Sequence, residues 1–274
     1  MVKVTTIMDN KRGEHKALVA EHGLSFLVET EKSKILFDFG AGKSACENAV
    51  RLNIGLENIS YAVGSHGHYD HASGYPEFVR HGLSCPLYTA KGYFAEKYAL
   101  NGLKATYLGC GFDEAWLNER NLEHRYCDGY LELEPGCYLV GNFERRYEFE
   151  QIPDRFVLRK NDKWEKDDFS DEICLVLDGT NGQTVIVGCS HPGILNILPT
   201  VQERFGKQIR GVFGGTHLVE ADGKRIRITL DKMKQMGVGL IGFNHCSGEE
   251  LQTIMSQETE LKHCYLGAGD CIYL

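Results

Sequence analysis

The chain has 274 residues, 42% of them hydrophobic and 25% charged, an ordinary balance for a soluble globular protein with one large core or two small ones. With 30 Lys and Arg against 38 Asp and Glu, the net charge of −8 argues against a nucleic-acid partner, because such proteins carry a basic face. No run approaches the ~18 apolar residues of a membrane helix, so no membrane association is expected.

In chain order, Met1 to Ile7 reads as a first strand and not as the apolar core of a signal peptide, which predicts a cytoplasmic protein. Ala20 to Thr30 and Ser33 to Phe39 are apolar runs around a polar turn, the pattern of a hairpin. Gly40 to Asn53 has helical spacing in Ala45, Ala49, Val50 and Leu52. Ile59 to Val63 is a short strand leading into a histidine-rich turn, and Gly74 to Gly82 a short helix. Residues from about 100 to 170 are charged and aromatic, with apolar runs too short for a core. They read as an inserted, lid-like segment of a single domain spanning 1–274, or as a solvated excursion without a role. The last third alternates. Strands are expected over 173–177, 184–188, 209–213, 239–243, 263–266 and 271–273, and helices over 193–205, 229–236 and 248–256. The ten cysteines form no C-x-x-C pair, which excludes zinc ribbons and thioredoxin-type motifs and predicts mostly thiols in a reducing compartment.

The chemistry concentrates in Ser65-His66-Gly67-His68-Tyr69-Asp70-His71. Imidazole and carboxylate are good ligands for Zn, Fe or Mn, and three of the first with one of the second follow a strand directly. Alternation in such a turn would send His66 and His68 one way and Asp70 and His71 another, enough for two adjacent metals or for one metal and a weaker place. More ligands must come from elsewhere. Three histidines sit among small residues at strand ends: His191 in Gly188-Cys189-Ser190-His191-Pro192-Gly193, His217 in Gly214-Gly215-Thr216-His217, and His245 in Asn244-His245-Cys246-Ser247-Gly248. Strand ends are where α/β folds place chemistry. His15, His81, His124 and His263 lie in unremarkable settings and are not expected to ligate.

The H-x-H-x-D-H turn, Asp38 in Ile35-Leu36-Phe37-Asp38-Phe39-Gly40, and the strand-end histidines resemble the metallo-β-lactamase superfamily. More narrowly, Glu21-His22-Gly23-Leu24-Ser25, Gly141-Asn142-Phe143-Glu144-Arg145, Asp167-Asp168-Phe169-Ser170-Asp171-Glu172 and the three later histidine motifs resemble its dihydropterin-ribofuranosyl-aminobenzene-phosphate synthase-like subfamily, from about residue 20 to the end. The resemblance implies an α/β fold with mixed sheets, an αββα sandwich, with the metal site at the edge between the two sheets. It implies His66, His68 and His191 on a first divalent ion and Asp70, His71 and His245 on a second, with Asp38 orienting the turn. Zinc is the first expectation for one or two ions, iron or manganese the alternatives. One departure stands out: the superfamily's bridging Asp is absent where Gly214-Gly215-Thr216-His217 ends its strand. His217 is the candidate to fill part of that gap, as a ligand or a donor to substrate. Cys189 is either a soft substitute ligand or a buried small hydrophobe.

A metal with open positions lowers the pKa of its water to about 7, and Asp70 is the group to orient that water or take its proton. The expected reaction is hydrolysis of a small phosphorylated or heterocyclic, pterin-like ester. An anionic substrate would need local basic groups, with Arg145 and Arg146, or Lys224, Arg225 and Arg227, as candidates against a solvated face. His22 is a structural hydrogen-bonding residue or a pocket residue. The segment's aromatics could stack on a flat ring or pack the segment itself. A synthase reaction is less expected, since Gly40-Ala41-Gly42-Lys43-Ser44 lacks phosphate-loop spacing. The alternatives are a glyoxalase-type thioester hydrolase, which calls for the missing Asp; a di-iron redox protein, whose relatives tend to carry Glu in place of His68; and a metal-binding sensor without catalysis. Oligomeric state is not legible.

Overall fold

The structure is a computed structural model that describes residues 1–274. The fold is mixed α/β, as expected for its class, with a third, four-stranded sheet beside the two seven-stranded ones, and the chain divides into two compact units. The first comprises Met1–Cys127, Pro153–Asp171 and Leu266–Leu274; the second comprises Asp128–Ile152 and Glu172–Tyr265.

A seven-stranded sheet organises the first unit. From edge to edge it runs Cys271–Tyr273, Lys3–Met8, Ser25–Glu29, Lys34–Phe37, Tyr61–Val63, Leu87–Thr89 and His124–Tyr126. The expected hairpin is there: Ser25–Glu29 and Lys34–Phe37 pair antiparallel, closed by the Thr30 N–H donating to Ser33 O at 2.9 Å. From Lys34–Phe37 onward the pairing is parallel. Parallel strands need crossovers and are covered on both faces, and Ile35, Leu36, Phe37, Ala62 and Val63 are all fully buried. The Lys43–Arg51 helix makes one crossover, burying Ala45, Cys46, Asn48 and Ala49 and leaving its charged face in water. Because Tyr61–Val63 lies inside the sheet, the turn at its carboxyl end emerges on a rigid support.

A four-stranded antiparallel sheet in the same unit orders Lys163–Lys166, Phe156–Lys160, Lys97–Asn101 and Lys104–Tyr107. Its outer strands are exposed, while Lys97 and Phe156 are buried.

The second unit carries the other seven-stranded sheet: Lys262–His263, Leu240–Phe243, Ile209–Gly214, Gly182–Val187, Cys174–Gly179, Cys137–Val140 and Tyr130–Glu134. Gly182–Val187, Ile209–Gly214 and Leu240–Phe243 are adjacent and parallel, in register Val187 to Gly214 to Phe243. Three such strands must end together, and His191, His217 and His245 follow those ends. The crossovers are the helices Ile194–Phe205, Gly223–Gln235 and Glu249–Met255. The second begins earlier than the apolar spacing of 229–236 suggests, because the Asp222 carboxylate caps it by accepting the Arg225 N–H at 2.8 Å. The expected strand over 263–266 is only Lys262–His263.

Residues 100–170, read from sequence as one inserted segment, are shared among all three sheets. Two of their runs pair with strands outside the segment, Cys137–Val140 with Cys174–Leu177 and His124–Tyr126 with Leu87–Thr89. All ten cysteines are thiols, and no helix is long and apolar enough to cross a membrane.

Candidate metal centre

The sequence after Tyr61–Val63 folds as an extended turn and then one helical turn, Tyr69–Ala72, with His68 at its N-cap. His66 and His71 are fully buried, and His68 and Asp70 nearly so. His66 sits between the other rings, with centroids 4.9 Å from His68 and 4.3 Å from His71. Gly67 is obligatory: a Cβ there would lie 1.9 Å from the Tyr93 carbonyl oxygen.

Asp38 holds this turn, the orienting role that the resemblance implied. Its Oδ1 accepts the Ser65 N–H at 2.7 Å, and its Oδ2 accepts the Ser65 hydroxyl at 2.8 Å and lies 2.6 Å from His71 Nδ1. Asp38 itself is in the left-handed region at φ 59°, a strain of order 1–3 kcal/mol that persists where surroundings over-determine it. His66 Nδ1 lies 3.0 Å from the Ser65 hydroxyl. These contacts make Nε2 the nitrogen that His66 and His71 can offer to a metal. Burial, with His71 and His68 alongside, holds His66 well below the ordinary imidazole range, in the neutral form that ligates.

His22, half of whose side chain is exposed, places Nε2 3.0 Å from Asp70 Oδ2. Its segment is tied to the turn by the Leu24 N–H, which donates to Asp70 O at 3.1 Å. Gly23, at φ 155°, allows the approach.

A second support comes from the Asp167–Glu172 motif, to which the sequence assigns no role beyond its family resemblance. In the loop 167–171, Asp171 Oδ2 accepts the Gly67 N–H at 2.9 Å, between the two histidines. Lys97 Nζ donates to Asp171 at 2.9 Å and to Asp167 at 2.8 Å, all three buried. The Phe169 ring lies 5.1 Å from His68 and 6.2 Å from His66, centroid to centroid. The only signal in the sequence is the local motif itself, four acids around Phe169 between Asp167 and Glu172.

The second unit brings its own histidines together. The His191 and His217 ring centroids are 4.3 Å apart. Glu172 accepts the N–H groups of Ser190 at 2.5 Å and His191 at 2.8 Å. Cys189, His217 and Cys246 each offer one ligand atom, all within 4.8 Å of one another. The His217 N–H donates to Cys246 Sγ at 3.3 Å. Burial would raise the Cys246 thiol, but hydrogen bonds with Cys189 and His217 outweigh it and hold it well below its usual range. Burial would likewise lower His217, yet its hydrogen bonds with Cys246 and Glu220 raise it to about 9. His245 is buried and, like His217, in the left-handed region.

The expected basic groups separate. Arg146 is held by Glu203 and by Glu144, Arg225 is 3.8 Å from Glu150, and Arg145, Lys224 and Arg227 are exposed. Trp116 packs on Phe112 with Arg120 over its ring, so it belongs to a local core.

Three buried imidazoles and a carboxylate on one turn, with ring nitrogens fixed by a carboxylate behind them, form a donor set that fits Zn, Fe or Mn.

Comparison with known proteins points the same way. The family model described as "Metallo-beta-lactamase superfamily" matches residues 18–172, more than half of the chain. An uncharacterized protein of Methanocaldococcus jannaschii is 30% identical over 97% of this chain and 98% of its own length. A second protein of that organism, named 7,8-dihydropterin-6-methyl-4-(beta-D-ribofuranosyl)-aminobenzene-5'-phosphate synthase, is 28% identical over 99% of this chain and 96% of its own. The crystal structure of Tm1679, described as a metal-dependent hydrolase of the beta-lactamase superfamily, has a TM-score of 0.85 at 27% identity, over 100% of this chain and 99% of that one.

Proposed function

The chain belongs to the metallo-β-lactamase superfamily, and we propose that it is a metal-dependent hydrolase acting on a small anionic ester, phosphorylated or pterin-like. The observation that carries this reading is the buried His66–His68–Asp70–His71 turn gripped by Asp38. On the family's ligand pattern we assign His66, His68 and His191 to one divalent ion, and Asp70, His71 and His245 to a second. Zinc comes first and iron or manganese are alternatives.

A bound ion would supply Lewis acidity and an acidified water. The chain's own residues do the rest. Asp38 keeps the His71 ring in one orientation. Asp70 Oδ2 takes the proton of the attacking water, and His22 Nε2, 3.0 Å away on an exposed side chain, passes it to solvent. His217, beside His191, donates to the substrate or completes the ligand set where the bridging Asp is missing. Exposed Arg145 is kept as an anion contact. Arg146 is a weaker candidate, because two glutamates already hold it.

A synthase acting on a dihydropterin is the second reading, favoured by the name of the 28% identical relative. The test is elemental analysis of protein purified without added metal, then a panel of phosphate mono- and diesters and a pterin ester with Zn or Mn. About two equivalents of metal and hydrolysis abolished by Asp70→Asn are expected. His217→Ala should lower metal content, turnover or both. One equivalent or less without turnover overturns the hydrolase reading, and condensation without hydrolysis selects the synthase.

A further inference from the structure

We propose that two consecutive acids, Asp171 and Glu172, are positioning residues, each orienting the backbone of one ligand-bearing turn. The inference rests on the metal-site reading above. Asp171 Oδ2 takes the N–H of Gly67, the one residue between His66 and His68, at 2.9 Å and across 104 residues of sequence. Glu172 takes two successive N–H groups, Ser190 and His191, one on each oxygen. Ser190 is in the left-handed region at φ 59°. A left-handed residue turns neighbouring amides the same way and makes a small concave nest for an anion; here the anion is a side chain. The Ser190 hydroxyl then donates to Gly215 O at 2.8 Å, tying the His191 turn to the turn that bears His217.

Both carboxylates are almost fully buried, and an ionised carboxylate makes charge-assisted bonds to N–H groups about twice as strong as neutral ones. Asp171 is charge-balanced by Lys97, itself held by Asp167 as well. The chemistry asks for a carboxylate specifically. Each side chain serves two donors, Lys97 and Gly67 for Asp171, Ser190 and His191 for Glu172. An amide of the same shape has one acceptor oxygen and must turn its NH₂ on one of them. The supports of metal ligands typically carry 10–100-fold of the metal affinity.

The test is Co²⁺ titration of the metal-free full-length chain, with chelator competition and the cobalt ligand-field spectrum as readouts. Wild type is compared with Asp171→Asn, Glu172→Gln and Asp167→Asn. The third removes a buried charge beside Lys97 without touching a ligand-bearing turn. Affinity is expected to fall about 10–100-fold in the first two, with an altered spectrum, and to stay at the wild-type value in the third. Wild-type affinity and spectrum in both folded variants overturns the proposal, as does an equal loss in Asp167→Asn. Should a variant not fold, amide NMR of the metal-free wild type decides. Gly67, Ser190 and His191 protons far downfield and slow to exchange support the grip; ordinary shifts with fast exchange overturn it. A wild-type chain that takes up no cobalt, zinc or manganese overturns the metal reading itself, which is a separate result.

Discussion

Asp38 Oδ2 and His71 Nδ1 lie 2.6 Å apart, both side chains fully buried. The same carboxylate also takes both hydrogen-bond donors of Ser65, so one acid at the end of one strand holds both ends of the histidine turn. In Asp38→Asn a single acceptor oxygen must serve three donors. Metal affinity should fall about 10–100-fold, and stability by about 1–3 kcal/mol for the donors left unpaired. Chelator competition and urea unfolding on the same preparations measure the two separately; unchanged values for both would show that Asp38 is dispensable.

Gly67 is where the turn meets the backbone of Tyr93. Gly67→Ala places a methyl 1.9 Å from a carbonyl oxygen that cannot rotate away. A loss of about 1–3 kcal/mol is expected from the overpacking, together with weaker metal binding, since the histidines on either side must move. Gly42→Ala, with open space around its Cβ, is the control and should leave metal binding unchanged.

His22 is exposed and bonded to Asp70, so its removal should not disturb the fold. His22→Ala is expected to lower kcat about 10²-fold with metal content unchanged. Steady-state kinetics beside elemental analysis check this; loss of metal would instead make His22 a structural partner of Asp70.

Burial raises the Glu150 carboxyl to about 7 against the opposing pull of Arg225 and the Leu195 N–H. Between about 4.5 and 7 the folded chain therefore holds a proton that the unfolded chain has released. Stability from this group is complete below the lower value and is lost as pH rises through the upper one. Urea unfolding across that range should show wild type losing up to about 3 kcal/mol relative to Glu150→Gln, whose amide keeps an acceptor for the Leu195 N–H. Parallel pH profiles of the two proteins would refute it.

The sequence by itself determined the main strands and helices on either side of residues 100–170 and the chemistry of the turn. The 25–37 hairpin, the helix after Gly42 and the run of strand-end histidines are legible because they follow from local periodicity and adjacent residue types. Asp38 was found through its family motif, a local pattern too. Only the tertiary structure decided what holds those residues. Gly67 meets Asp171 across 104 residues, and Lys97 meets Asp167 across 70. Hydrogen bonds at such separations leave no periodic trace in the chain. The 100–170 segment shows the same limit: its short runs look too poor in apolar residues to pack, because they are divided among three sheets and two of them, Cys137–Val140 and His124–Tyr126, pair with strands outside it. A carboxylate in a sequence reads as charge seeking water; only burial beside an amide or a lysine turns it into a fixed acceptor.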